Sequence, residues 1–273
     1  MGEQATERRS EILPADRPGS FILRMDGMEQ SHVDLVDPTR LVFDYVRRLG
    51  DVVDVQAPGG QPLRVVHVGG AALTLPRYVA ARRPRSWQVV LEPDEAQTAL
   101  VRAELLLPPR SGIRVRPVDG RTGLSGLHDG AADMVVLDAF ADGRVPADLV
   151  TAEAFADAAR VLATGGRLAA NLVDRAPFAH ARRVIAGIRT VFPQVMLTAE
   201  PATLRGRRQG NLVVVAGQHV PVEELTTRVA GSAAPYRILD DRAVSDSFGG
   251  GRPFTADDAE AGPEPEPARR RGR

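Results

Sequence analysis

The sequence predicts an α/β protein: a doubly wound, mostly parallel sheet of seven strands, preceded by a small N-terminal β-hairpin element. Three observations carry this expectation. From residue 63 onward, short apolar runs alternate with stretches of helical periodicity, the pattern of a parallel sheet covered by helices on both faces. The last two runs, QVMLTAE and NLVVVAG, are joined by a short Arg- and Gly-containing loop, which suits an antiparallel pair at one edge. With 273 residues, the chain is long enough to bury one sizeable core and carry small appendages.

The elements follow in order. Residues 1–19 are polar and Pro-containing, and disorder is expected there. In FILRMDGMEQSHVDL, Asp26-Gly27 separates two half-apolar runs and is a favoured central pair of a tight hairpin turn. Asp37 then reads as a helix N-cap and Pro38 as the first helical residue, with Leu41, Val42, Tyr45, Val46 and Leu49 at helical spacing. Residues 20–57 thus form a hairpin and helix, and QAPGGQP is a linker. The main α/β domain spans 58–248. Its strands are LRVVHV, WQVVLE, IRVRPV, ADMVVLDAF, GRLAANLV and the final pair, with helices near 73–83, 94–106, 151–162 and 177–191. Residues 249–273 mix glycine, proline and charge without apolar periodicity and read as a disordered tail.

Composition removes several functions. Lys+Arg and Asp+Glu both number 35, so no net field argues for a nucleic acid or membrane partner. All 35 basic residues are Arg, which alongside abundant Ala, Val, Gly and Pro reflects coding bias more than mechanism, and Arg205, Arg207 and Arg208 read as a solvated loop. There is no Cys, hence no thiolate nucleophile and no Cys-ligated metal. The five histidines lack metal-ligand spacing, and His67, within a strand, reads as a packed core residue. No Walker, GxSxG or GxGxxG pattern occurs. No signal-peptide core or long apolar run is present, so a cytoplasmic protein is expected.

In a doubly wound sheet, ligands bind outside the C-terminal strand ends, and four polar positions fall there. Gly69-Gly70 lets backbone amides approach a ligand at a strand-to-helix turn, although glycine there also serves packing. Glu92 lies 23 residues after Gly69, near the offset at which an acid accepts from ribose hydroxyls; a helix-capping acid before Pro93 is the plainer alternative. Asp119-Gly120 offers a carboxylate to an exocyclic amine such as that of adenine, or is a simple turn. Asp138 ends the buried run MVVL and needs a partner, which an amine substrate would supply.

These pieces, in this order, resemble the spermidine synthase-like proteins, polyamine aminopropyltransferases with a variant of the class I AdoMet-dependent methyltransferase fold. The resemblance covers roughly residues 20–248. Asp26-Gly27 with Gln30 is similar to the family's hairpin motif DGxxQ, whose glutamine helps hold the nucleoside. VVHVGGAALTLPRYV is similar to its glycine loop, Glu92 to its ribose-binding acid, Asp119-Gly120 to its adenine-side pair, and Asp138 to the acid beside the reacting amine. The resemblance implies decarboxylated AdoMet or AdoMet as co-substrate, methylthioadenosine as a further ligand, no metal, a small-molecule amine acceptor and a homodimer. The chain also departs from the family. Ala72 stands where GGGDGG has its Asp, Thr39, Arg40 and Leu41 stand where a Tyr and a Glu are expected, and DAFADG replaces DSSDP, leaving Asp142 one position displaced. The nucleoside half is kept and the amine half altered. Aminopropyl transfer is the leading reading, with AdoMet-dependent methyl transfer or nucleoside binding without turnover as alternatives.

Overall fold

A computed structural model describes residues 10–266. In chain order its strands and helices are β1 (Ser10–Pro14), β2 (Ser20–Met25), β3 (Met28–Asp34), α1 (Asp44–Val55), β4 (Arg64–Val68), α2 (Thr74–Arg82), β5 (Trp87–Leu91), α3 (Glu95–Glu104), β6 (Ile113–Arg116) and α4 (Gly120–Ser125). There follow β7 (Ala132–Leu137), α5 (Ala152–Val161), β8 (Leu162–Asp174), α6 (Ala179–Arg189), β9 (Gln194–Ala199), α7 (Pro201–Leu204), β10 (Gly210–Gly217), α8 (Val222–Ala230), β11 (Arg237–Leu239) and α9 (Asp241–Phe248). The main sheet has the order β11-β9-β10-β8-β7-β4-β5-β6; β4 through β8 pair in parallel, and β10 pairs antiparallel to both β8 and β9.

The sheet is covered on both faces, and its strands show it residue by residue. Val66 and Val68 of β4, Val135 and Leu137 of β7, and Leu212, Val214 and Ala216 of β10 enter one core layer. Their neighbours Val65, Met134, Val136, Val213 and Val215 enter the other, against α1, α2 and α8. Burial on both faces explains why these strands read as continuous apolar runs rather than alternating ones.

The structure adds to the expected elements. An eighth strand, β11, pairs with β9 at the sheet edge. Its three residues are too short to show a period-2 signal. The N-terminal element is a three-stranded sheet, because β1 pairs along the full length of β2. Residues 10–19, expected to be disordered, are therefore strand and turn. The Asp26-Gly27 turn is as expected, with positive φ at both residues, 48° and 81°, between Met25 and its cross-strand partner Met28. A third core layer, with Leu23, Val33, Leu73, Val101 and Leu105, seats this sheet on α3 and the loop after β4.

Helix α1 starts at Asp44 rather than Pro38, with Phe43 as N-cap. The Asp37 carboxylate instead accepts from the Thr39 amide at 3.1 Å, and Arg40 is drawn into ion pairs with Asp16 and Asp34, so the backbone turns once before the helix begins. The tail expected to be disordered is packed along 249–266. Phe254 is buried, bridges Thr151 and lies under the Arg183 guanidinium at 3.8 Å. Farther on, the Gly262 amide donates to the Val145 carbonyl at 2.8 Å, and Gln209 bonds both the Glu264 carbonyl and the Glu266 amide. One buried aromatic and a handful of backbone bonds order this segment, neither of which leaves a periodic signature. The remaining expectations of disorder, for 1–9 and 267–273, lie outside the described residues. Among the described residues, no helix is long and apolar enough to cross a membrane.

Candidate functional site

Strand ends and the loops after them build one cleft of about 200 Å³ between the main sheet and the N-terminal sheet. Gln30, Gly69, Gly70, Glu92, Asp119, Gly120 and Asp138 all line it. Four strands and one hairpin are needed to bring them together: β3 for Gln30, and β4, β5, β6 and β7 for the rest.

At the centre, β4 and β7 end in register. The Asp138 amide donates to the Val68 carbonyl at 2.9 Å, and the Gly69 amide donates to the Leu91 carbonyl at 2.9 Å. Gly69 has φ +94°, and a Cβ there would stand 2.3 Å from the Asp138 carbonyl oxygen. Only glycine allows this close approach of the two strand ends. Gly70 is less tightly confined, since a Cβ would sit 3.0 Å from Val90 Cγ1 and 3.3 Å from the Glu92 carboxylate.

That carboxylate fixes the loop. Glu92 Oε2 accepts from the Gly70 amide at 2.9 Å and Oε1 from the Asp94 amide at 3.0 Å. Each oxygen has two lone pairs, so Glu92 retains capacity for two ligand hydroxyls while held rigidly by backbone. Asp119 caps α4, its Oδ1 accepting from the Thr122 amide at 2.8 Å. This amide holds its carboxyl below the ordinary range. The capping residue is exposed and also lines the cleft.

Asp138 differs. It is half-buried at the cleft floor, and its surroundings push its pKa up to about 6, against the lowering effect of a hydrogen bond from Asn171 Nδ2 at 2.9 Å. Asn171 is fully buried in β8, and its Oδ1 accepts in turn from Asn211 Nδ2 on β10 at 3.0 Å. The chain of two amides holds one oxygen of the carboxylate, Oδ1, in a residue that lines the cleft. His67 also borders the cleft but is buried; its Nε2 meets Gln88 Oε1 at 2.9 Å, and burial lowers its pKa to about 4. It is the packed core histidine that the sequence suggests.

The altered glycine loop keeps a glycine-like backbone without the glycines. Ala71 and Leu73 both have positive φ, 40° and 62°, a region that costs a non-glycine residue roughly 1–2 kcal/mol. Leu73 recovers this by burial with Leu23 and Val33, while Arg77 ties the loop to the end of α3 through the Leu106 carbonyl at 2.9 Å. Ala71 faces the cleft. Ala72 does not: it is fully buried in the layer under the N-terminal sheet, and its amide donates to Ser31 Oγ at 3.3 Å. A carboxylate at Ala72 would enter apolar packing.

Several residues of the site carry no local sequence signal. Tyr45 reads as a helix-face apolar residue, yet it lines the cleft half-buried, and burial and then the Asp138 charge raise its phenol pKa well above the usual value. Phe43 stands beside it with ring centroids 6.2 Å apart, and Phe140, from the loop after β7, lines the same cavity. His32 also lines it, its Nε2 meeting Asp16 Oδ1 at 3.0 Å. Thr39, Arg40 and Leu41 are absent from the lining; Arg40 is held by the Asp16 and Asp34 carboxylates and Leu41 is buried. Asp142 lines a small cavity next to the main one, with Asp26 and Gln30.

No family model and no curated protein matches the sequence. Solved structures do. A probable spermidine synthase from Corynebacterium glutamicum has a TM-score of 0.83 and 27% identity, over 92% of this chain and 94% of that one. The spermidine synthase of Thermotoga maritima gives 0.60 and 16%, over 90% and 82%. Human methyltransferase-like protein 13 in complex with SAH gives 0.56 and 17%, over 79% and 96%. Together, sheet order, cleft and neighbours make this a class I AdoMet-methyltransferase fold and support a transferase. Within that class, the chain has the spermidine synthase-like form of the fold, with an antiparallel N-terminal sheet set over the cleft.

Proposed function

We propose that the chain binds an AdoMet-type nucleoside and transfers an aminopropyl group from decarboxylated AdoMet to an amine acceptor. The observation that carries this reading is the convergence of Gln30, Gly69, Gly70, Glu92, Asp119 and Gly120 on one cleft whose floor holds Asp138. Glu92 would accept from the ribose hydroxyls and Asp119 from the adenine amine, with the Gly69-Gly70 backbone passing beneath the sulfonium arm. Asp138, ionised above its pKa of about 6, would accept a hydrogen bond from the incoming amine, align it with the carbon under attack and take up its proton. The amine half is altered, since neither the glycine loop nor residues 39–41 offer a carboxylate to the cleft.

That same observation favours a second reading, AdoMet-dependent methyl transfer to a small molecule, because no loop acid is present to anchor an aminopropyl ammonium. One assay separates the two. Purified protein is incubated with an amine mixture and either decarboxylated AdoMet or AdoMet, and the nucleoside product is quantified by mass spectrometry. Release of methylthioadenosine from the decarboxylated donor is the expected outcome. Release of S-adenosylhomocysteine from AdoMet alone moves the assignment to methyl transfer, and no release from either donor leaves a nucleoside-binding protein without turnover.

A further inference from the structure

We infer that the acceptor is a monoamine with an apolar or aromatic body, held by Asp138 at its nitrogen and by Phe43, Tyr45 and Phe140 along its length. The inference rests on the transferase reading above and names the acceptor for it.

The distribution of charge in the cleft carries the argument. Five carboxylates line it: Glu92, Asp94, Asp119, Asp138 and Asp148. Four belong to one end. Glu92 is bonded to the Gly70 and Asp94 amides, Asp94 caps α3 through the Gln97 amide at 2.8 Å, and Asp119 caps α4. Asp148 adjoins Leu149, whose Cδ2 lies 2.9 Å from where a Gly120 Cβ would be. Among the described residues that line the cleft, Asp138 is the one carboxylate at the other end, with Val42, Phe43, Tyr45, Val46 and Phe140 around it, while Asp26 and Asp142 line the small adjoining cavity and are engaged there by other groups.

A diamine would bring two ammonium groups to a subsite with one carboxylate. Its second charge would give up water for apolar and aromatic walls without a charge-assisted hydrogen bond in return. A monoamine makes no such demand. Its one nitrogen meets Asp138, its cationic form is attracted by the flanking ring faces, and its apolar body covers them. The plainer role of these aromatics is to pad the cores behind them, and Phe43, Tyr45 and Phe140 do touch those cores. Yet all three are only half-buried, unlike the fully packed Leu49, Val52 and Val53 of α1. All three are also among the residues that line the cleft.

In the transfer, the neutral amine's lone pair forms the new N–C bond to the carbon attached to the sulfonium sulfur. The C–S bond breaks with its electron pair going to sulfur, which leaves as the neutral thioether of methylthioadenosine. The surplus proton on nitrogen passes to the Asp138 carboxylate and from there to water.

Calorimetric titration tests this with three probes. Wild-type protein is first titrated with methylthioadenosine; the saturated complex is then titrated with phenethylamine and, separately, with putrescine. Phenethylamine is expected to bind at least tenfold more tightly than putrescine. Tyr45→Ala should lower phenethylamine affinity about tenfold and leave methylthioadenosine affinity unchanged, while Tyr45→Phe, which keeps the ring, retains both. Putrescine binding as tightly as phenethylamine, or neither amine binding the loaded protein, overturns the inference while the nucleoside reading stands. Failure of methylthioadenosine itself to bind removes the transferase reading, and the inference with it.

Discussion

The two ends of the cleft are built on different principles. At the nucleoside end, Glu92 and Asp119 are fixed by backbone amides: Glu92 by Gly70 of the loop after β4 and Asp94 of its own loop, Asp119 by Thr122 in the first turn of α4. Such groups are rigid, charged and polar before any ligand arrives, which keeps the entropy cost of binding low. At the other end, Asp138 is the one carboxylate among the described residues that line the cleft, oriented by the buried Asn171 and, behind it, the half-buried Asn211, with the aromatic residues Phe43, Tyr45 and Phe140 lining the same cleft. The first end suits a ligand of fixed identity with hydroxyls and amines at set positions. The second selects by shape and one charge.

Substitutions break or sharpen this contrast in a graded series. The largest effect is expected from Asp138→Asn, which removes the proton acceptor but keeps the hydrogen-bonded shape. Turnover should fall about 10²–10⁴-fold, with methylthioadenosine affinity unchanged in calorimetry. An equal loss of nucleoside binding would merge the two ends and defeat the distinction. Next, Gly69→Ala places a Cβ against the Asp138 carbonyl and forces a positive φ on alanine. A loss of about 3 kcal/mol is expected, or a melting temperature lower by roughly 6–12 °C, measured by calorimetry.

The Asp138 substitution also has a pH signature. Its pKa is raised in the folded state, to about 6 from 3.8, so the folded protein binds the proton more tightly than the unfolded chain. Stability from this group is therefore present below about pH 4 and is lost as pH rises toward 6. Asp138→Asn should raise the melting temperature at pH 8 and leave it unchanged near pH 4. Smaller still is the effect of Asn171→Ala, which deletes the bond that holds the Asp138 pKa down. The acidic limb of the turnover profile, expected near pH 6 in the wild type, should move upward with folding retained; an unmoved limb would assign it to another group.

How much of this is legible in the sequence follows from the same contrast. Glu92, Asp119 and Asp138 each end a strand or open a helix, so their place in the cleft follows from local periodicity plus the rule for doubly wound sheets. Phe43 and Tyr45 reach the cleft only because α1 starts six residues later than Pro38 suggests, after the Arg40 ion pairs. Phe140 and Asn171 depend on how distant segments meet, and Asn171 lies in a run that reads as plain buried strand. The glycine loop shows the limit most clearly. Ala71 and Leu73 hold glycine-like φ values that their residue types disfavour, and Ala72 faces the packing under β2 and β3 rather than the ligand. Its identity marks a change in the loop, and its direction is set by tertiary contacts with Ser31, Leu23 and Val33. The tail is similar: Phe254 is one aromatic in a charged stretch, and only the pocket made by Thr151, His180 and Arg183 gives it a place.

The central claim is that the rigid, acidic end of the cleft holds a nucleoside, and calorimetric titration of wild-type protein and Glu92→Ala with methylthioadenosine tests it most directly. The account predicts saturable binding that Glu92→Ala weakens by about tenfold or more, equivalent to 1.4 kcal/mol or more. No binding, or binding that ignores the loss of Glu92, would contradict it.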